Sequence, residues 1–120
     1  MLQQEIEDYL DLFPEAESGY PFGPEARVYK VLGKMFALLA IHRGELSMTV
    51  KGTPADNELL VSQFKGIIPG YHMNKQHWVT VSLESDVNDG MIRDLAAQSY
   101  KLVVSTLPKA QQKRLQLLGA

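Results

Sequence analysis

Between Tyr71 and Trp78 the chain places Tyr71, His72, Asn74, Lys75, His77 and Trp78 within eight positions, just ahead of the alternating run from Trp78 to Leu83. Aromatic faces, ring nitrogens, an amide and an ammonium on one loop are the groups that stack on bases and contact phosphates. The same stretch also has a structural reading. Pro69-Gly70 makes a sharp turn, Tyr71 and Met73 cover the end of a sheet, and Asn74 forms a turn before the Trp78 strand. Both readings can hold together, because a rigid loop is the usual carrier of a surface site.

Other chemistries find less support. His72 and His77 are five positions apart across a loop and His42 lies at a strand end, with no HExxH or comparable ligand spacing, so neither a metal nor another cofactor is expected. There is no GxSxG elbow and no cysteine, and Ser62, Ser82 and Ser99 read as ordinary helix or strand residues. Paired carboxylates such as Asp8 with Asp11, or Glu84 with Asp86, fall on a polar helix face or near a turn. GYPFGP and GIIPGY lack the lysine and hydroxyl pair of a phosphate loop and the strand and helix context of a dinucleotide fingerprint. A non-enzymatic protein is expected.

At 120 residues and 45% hydrophobic, the chain suits one domain spanning residues 1–120 with its own core. The absence of cysteine excludes disulfides and thiolate-bound metals and agrees with a reducing compartment. The start, MLQQEIEDYL, lacks a basic n-region and an apolar h-region, and no apolar run approaches the roughly 20 residues that cross a bilayer. A cytoplasmic location with no membrane association is expected. The net charge of −2 conceals an asymmetry: seven acids and no base up to Glu25, then twelve bases against seven acids. That distribution suits a polyanion-binding face on the body, or acids of the first helix paired with bases of the body.

The elements that must position these groups follow from periodicity. Leu2, Ile6, Tyr9, Leu10 and Phe13 recur at helical spacing and predict an amphipathic helix ending before Pro14. The proline-rich PEAESGYPFGPEA allows at most a short edge strand around Tyr20 to Phe22. Two hairpins then join Arg27 to Leu32, Met35 to Ile41 and Leu46 to Lys51, with Gly33-Lys34 and Arg43-Gly44 at the turns. The uniformly apolar Met35 to Ile41 predicts a central strand covered on both faces. Thr53-Pro54-Ala55-Asp56 starts a helix with Leu59, Leu60 and Phe64 as its buried stripe. In the strand from Trp78 to Leu83, Val79, Val81 and Leu83 share the core face. Acids and amides from Asp86 to Asp89 cap a long helix that buries Ile92, Leu95, Ala96, Ser99, Leu102, Val103 and Leu107 and breaks at Pro108, before a short basic continuation.

Three runs, PFGPEARVYKVLGKMFALL (Pro21 to Leu39), PGYHMNKQHWVTV (Pro69 to Val81) and SYKLVVSTLPK (Ser99 to Lys109), resemble the MmcQ/YjbR-like family in order and spacing over nearly the whole chain. The resemblance implies an α+β two-layer sandwich of an antiparallel sheet and helices, in the order helix, three strands, helix, two strands, helix. Its topology would be similar to secretion-chaperone-like and frataxin-like folds. It also implies a DNA-binding role in which two β wings contact the duplex. The family's marked positions fall on Pro21, Phe22, Gly23, Arg27, Lys30, Gly33 and Lys34, and on Pro69, Gly70, Tyr71, His72, Met73, Asn74, Lys75, His77 and Trp78. This chain departs from the pattern at Gly52-Thr53, where relatives often carry a small residue and an acid, and at Ile68, where a polar or basic residue is common.

Two functions are therefore expected. One is nucleic-acid binding, with double-stranded DNA as partner, through Arg27, Lys30, Lys34, Tyr71, His72, Asn74, Lys75, His77 and Trp78. The other is a protein-interaction or chaperone-like module that uses the sheet face or an exposed helix for a polypeptide partner.

Overall fold

A computed structural model describes residues 1–71 and 73–120. The elements are α1 (Gln3–Asp11), β1 (Ala16–Gly19), β2 (Ala26–Val31), β3 (Lys34–His42), β4 (Glu45–Lys51), α2 (Pro54–Gln63), β5 (Ile67–Pro69), β6 (Trp78–Ser82), α3 (Asp89–Val104) and α4 (Lys109–Leu117). The six strands form one antiparallel sheet in the order β1-β2-β3-β4-β6-β5. The class is α+β, as expected.

The element order differs from the expected one: four strands precede α2, and two helices close the chain. Ala16–Gly19 pairs with β2 and makes the extra edge strand, immediately before the Tyr20 to Phe22 segment where an edge was expected. Pro21 and Pro24 keep that later segment out of a ladder, and Gly23 N closes a turn on Tyr20 O at 3.2 Å instead. At the other end Pro108 separates α3 from α4.

The central placement of Met35 to Ile41 holds, with β2 on one side and β4 on the other. Both hairpins turn on two residues with positive φ, the geometry whose twist matches the flanking strands. These are Leu32 (φ 47) with Gly33 (φ 87) and Arg43 (φ 51) with Gly44 (φ 80). The first turn is thus Leu32-Gly33, one position earlier than expected, because Val31 pairs with Lys34.

One sheet face carries Tyr29, Leu39, Met48, Val50, Val79 and Val81, packed against Ile6 and Leu10 of α1, Ile92, Ala96 and Tyr100 of α3, and Leu115 of α4. Phe13 stacks on Tyr100 with ring centroids 4.7 Å apart, tying the α1 end to α3. Each fully buried aliphatic side chain contributes ~1.5–3 kcal/mol and an exposed ion pair ~0–1 kcal/mol, so apolar burial joins the layers. A polar clamp fixes their register. The pairing of β2 with β3 shifts near Phe36, and Ser99 Oγ of α3 donates to Phe36 O at 2.6 Å while accepting from Lys51 N at 2.8 Å.

Helix α2 corrects a second expectation. Leu59 is exposed and Asn57 is the buried residue of the helix, while Leu60 and Phe64 are partly buried. The inward turn of Asn57 is set by hydrogen bonds rather than by apolar periodicity: Nδ2 donates to Gly52 O at 3.3 Å and to Gln76 O at 3.0 Å. Among the described residues, no helix is long and apolar enough to cross a membrane.

Candidate functional site

The strand register assigns the second sheet face. Val28, Leu38, Thr49, Thr80 and Ile68 lie side by side in one row across β2, β3, β4, β6 and β5, and Ala26, Ala40, Ser47 and Ser82 lie in the next. These side chains point away from the helices, because successive residues of a strand alternate faces. An antiparallel sheet can leave such a face to water, and its residues are then commonly charged. Here none of them is charged: they are aliphatic, small or hydroxylated, and Ser47, Thr49 and Thr80 are buried.

What covers them is a pair of loops around a cleft of about 510 Å³, lined by Phe22 and Glu25 from the β1–β2 connection, by Ala26, Leu38, Ala40, Ile41, His42, Ser47, Thr49 and Thr80 from the strands, and by Tyr71 and Met73 from the β5–β6 connection. That size is within the range of small-ligand and side-chain pockets. Phe22 (76% exposed) and Tyr71 (53%) form an apolar rim, and Ile41, which shares the helix-side face with Leu39, meets the cleft only at its edge. The row Ala26, Ala40 and Ser47 carries side chains of little bulk and leaves a trough in the floor beside Leu38 and Thr49.

The polar groups of the cleft are few and oriented. Thr49 Oγ1 and Thr80 Oγ1 are 2.8 Å apart, and Tyr71 N donates to Thr80 Oγ1 at 3.1 Å, so the loop is tied to the floor. The imidazole of His42 lies against the Tyr71 ring, with centroids 4.3 Å apart and planes tilted by 50°. His42 Nε2 is buried and has no hydrogen-bond partner among the described residues. Ser47 Oγ donates to Glu45 O at 3.2 Å, which leaves its oxygen as an acceptor. Glu25 is the only Asp, Glu, Lys or Arg among the described lining residues.

The residues expected to contact nucleic acid are dispersed. Arg27 pairs with Glu7 of α1, also donates to Ser18 Oγ at 3.2 Å from Nε, and lies 5.3 Å above the Tyr29 ring on the helix-covered side. Lys34 Nζ donates to Thr106 Oγ1 at 3.2 Å beyond α3. Lys30 is exposed on β2, and Lys75 lines a separate cleft with Asn57, Glu58 and Gln76. Strands β2 and β6 are three strand spacings apart, about 14 Å, so these bases do not converge. The acidic first segment spends two of its carboxylates on the body, Glu7 on Arg27 and Glu15 on Arg114.

In the second block, Asn74 is a turn residue, its Oδ1 accepting from Gln76 N at 3.0 Å and His77 N at 3.3 Å. His77 is exposed, Trp78 is half-buried at the start of β6, and His72 lies outside the described residues. Gly70 is required where it stands. Its N donates to Trp78 O at 2.8 Å, and a Cβ there would come within 2.7 Å of Trp78 Cβ. Of the expected site residues that are described, Tyr71 alone is brought into the cleft. The groups that sequence reasoning missed are His42, Leu38, Ala40, Ser47, Thr49 and Thr80; the available signal was the hydroxyls at outward strand positions where lysine or glutamate is usual for a wet face.

Comparison with known proteins places the chain among relatives. The YjbR family model matches residues 12–102. The chain is 41% identical over 101 residues to the uncharacterised protein YbdF of Escherichia coli O157:H7, covering 84% of this chain and 83% of that one. It is 31% identical over 115 residues to the uncharacterised protein YjbR of Escherichia coli K12, covering 96% and 98%. Among solved structures, the Deinococcus radiodurans protein DR2400, with a DUF419 domain, superposes with a TM-score of 0.84 at 35% identity over 94% of this chain and 86% of that one. A Pseudomonas syringae protein superposes with a TM-score of 0.76 at 28% identity over 85% and 98%. The matched segment includes both hairpins, both loops of the cleft and most of α3, and on that extent this chain belongs to the YjbR family.

Proposed function

We propose that this protein is a cytoplasmic, non-enzymatic interaction module whose open sheet face seats an aromatic side chain presented by a polypeptide partner. The observation that carries the reading is the trough of Ala26, Ala40 and Ser47 under an apolar rim of Phe22 and Tyr71, on a sheet face where no helix residue is among the described residues lining the cleft. A row of small side chains between bulkier ones admits a flat ring, and aromatic rings supply large contact area at low conformational cost. The charge balance of the lining points the same way. With Glu25 and no lysine or arginine among the described lining residues, the cleft is unsuited to a phosphate and suited to a neutral or donor-bearing group. The likeness to secretion-chaperone-like and frataxin-like sandwiches belongs to this reading as an analogy of topology, which by itself carries no function.

The test is selection of random peptides displayed on phage, against the native protein and against Ala40→Phe, which fills the trough without touching the core. Enriched peptides that share an aromatic residue and lose binding to Ala40→Phe would support the proposal. Failure to enrich, or peptides indifferent to Ala40→Phe, would remove it.

A second reading, contact with duplex DNA, draws on the exposure of Lys30, Lys75 and His77. It uses a surface other than the cleft. Lys75→Glu should then weaken duplex binding and flatten its salt dependence. An unchanged affinity would remove it.

A further inference from the structure

Two cavities meet at Glu25. One is the open-face cleft, where Glu25 adjoins Ala26 of the trough in sequence. The other, of about 440 Å³, lies between α1 and the strands β2, β3 and β4 and is lined by Gln3, Glu7, Tyr20, Arg27 and Leu46 as well as Glu25. Ala40 and Ile41 also line both, so the two spaces are contiguous. The backbone of Glu25 is placed by a turn in which Ala26 N donates to Gly23 O at 3.5 Å, and its side chain is exposed.

The charge at this junction is one-sided. Arg27 and Glu7 pair with each other and offset. Glu25 has no hydrogen bond or ion pair among the described residues, and the described linings contain no other Asp, Glu, Lys or Arg. The opposite end of the groove differs. The row Ala26, Ala40, Ser47 continues in register to Ser82 of β6, where a cavity of about 100 Å³ is lined by Arg43 and Lys65 beside Glu45. A cation is therefore favoured at the Glu25 end alone.

A partner whose ring lies in the trough carries its neighbouring residues along the rim, with successive Cα atoms about 3.8 Å apart, so an adjacent side chain can enter the second cavity. Lysine and arginine suit that space, because they lay an apolar stem along apolar surface while the charged head stays hydrated. Resting on the aromatic-seat reading above, we propose that the partner presents a lysine or arginine next to its aromatic residue, with the stem along Tyr20 and Ile41 and the cationic head on Glu25. Glu25 acts here as a specificity determinant that selects a basic-aromatic pair over an aromatic residue flanked by acids.

The experiment compares three N-acetylated, C-amidated tripeptides with a central phenylalanine flanked on both sides by arginine, by glutamine or by glutamate, so that chain direction does not matter. Each is titrated into the isotopically labelled native protein while the amide signals of Ala26 and Ala40 are followed. The arginine tripeptide should bind about 3- to 5-fold more tightly than the glutamine one at low salt, and the glutamate one more weakly than either. Raising the salt to about 0.5 M should cut the arginine advantage to below about 2-fold. Glu25→Gln should bring it to within about 1.5-fold, and Glu25→Lys should make the glutamate tripeptide the tightest of the three. Glu58→Gln, on α2 and outside both cavities, changes the net charge equally and should leave the advantage intact. An advantage that survives Glu25→Gln, or that Glu58→Gln removes equally, would belong to the net charge and overturn the proposal. Equal binding of the arginine and glutamine tripeptides would overturn it too and leave the aromatic seat standing. If no tripeptide shifts those signals at about 10 mM, both readings fall.

Discussion

Thr49 Oγ1 and Thr80 Oγ1 meet at 2.8 Å across neighbouring strands on the face that the helices leave bare, and Thr80 also holds the backbone of Tyr71. A cross-strand hydroxyl pair that anchors a loop should have a stability cost of its own when broken. Thr80→Val leaves Tyr71 N without its acceptor and should destabilise by about 1–2 kcal/mol, and Thr49→Val by about 1 kcal/mol. Because the two share one bond, the double variant should lose less than the sum by about 0.5–1.5 kcal/mol. Urea denaturation of the four proteins measures this, and strict additivity would mean that the pair is not coupled.

Two buried tyrosines should behave oppositely. Tyr29 OH is buried with no partner among the described residues, and burial pushes its ionisation from 10.0 up to about 12. Tyr100 OH donates to Pro14 O at 2.7 Å. Tyr29→Phe should therefore be neutral or stabilising by up to about 1 kcal/mol, and Tyr100→Phe should cost about 1–2 kcal/mol. The pH dependence carries a sign. A folded-state value above the unfolded one means that the Tyr29 contribution is intact below about pH 10 and lost as pH rises toward 12, so Tyr29→Phe should flatten the alkaline loss of stability. Thermal melts across that range measure both effects.

Arg43 occupies a left-handed conformation at φ 51, followed by Gly44 at φ 80, in a turn that asparagine fits better. The side chain is exposed, so little packing is at stake. Arg43→Asn should raise stability by about 0.5–1 kcal/mol. A lower melting temperature would contradict the turn assignment.

Asp86 closes the entry to β5, with Lys65 N and Gly66 N each donating to its carboxylate at 2.8 Å, and the Gly66 and then the Lys65 backbone bond hold its ionisation below the ordinary aspartate range. A depressed folded-state value gives a contribution that is present above the unfolded value and disappears as pH falls through the folded one. Asp86→Asn should lower stability at neutral pH and weaken its fall in acid. Parallel acid titrations of the two proteins would sink the idea.

Legibility in the sequence followed the physical range of each signal. Val79, Val81 and Leu83 announced their face because alternation is a local property, and Met35 to Ile41 announced a central strand because both of its faces are apolar. The edge strand Ala16-Glu17-Ser18-Gly19 has no β-branched or aromatic residue and exists because β2 offers it a ladder, which no local pattern records. Asn57 displaced Leu59 from the buried side of α2 through carbonyls of Gly52 and Gln76, the latter distant in sequence. The candidate site was hidden for a similar reason. His42 looked like a strand end and Thr49 and Thr80 like outward polar residues, and only the sheet order brings them under Tyr71 and Met73. Basic residues were prominent in the sequence, yet Arg27 and Lys34 are spent on Glu7 and Thr106.

The most direct test of the central claim, that the open-face cleft is the binding surface, is amide chemical-shift mapping of the labelled protein with a capped glycyl-tyrosyl-glycine peptide and, separately, with a short DNA duplex. The peptide should perturb Leu38, Ala40, Ser47, Thr49, Met73 and Thr80 together, and Ala40→Phe should erase the response. Peptide shifts absent from those residues, alongside duplex-induced shifts centred on Lys30, Lys75 and His77, would contradict it.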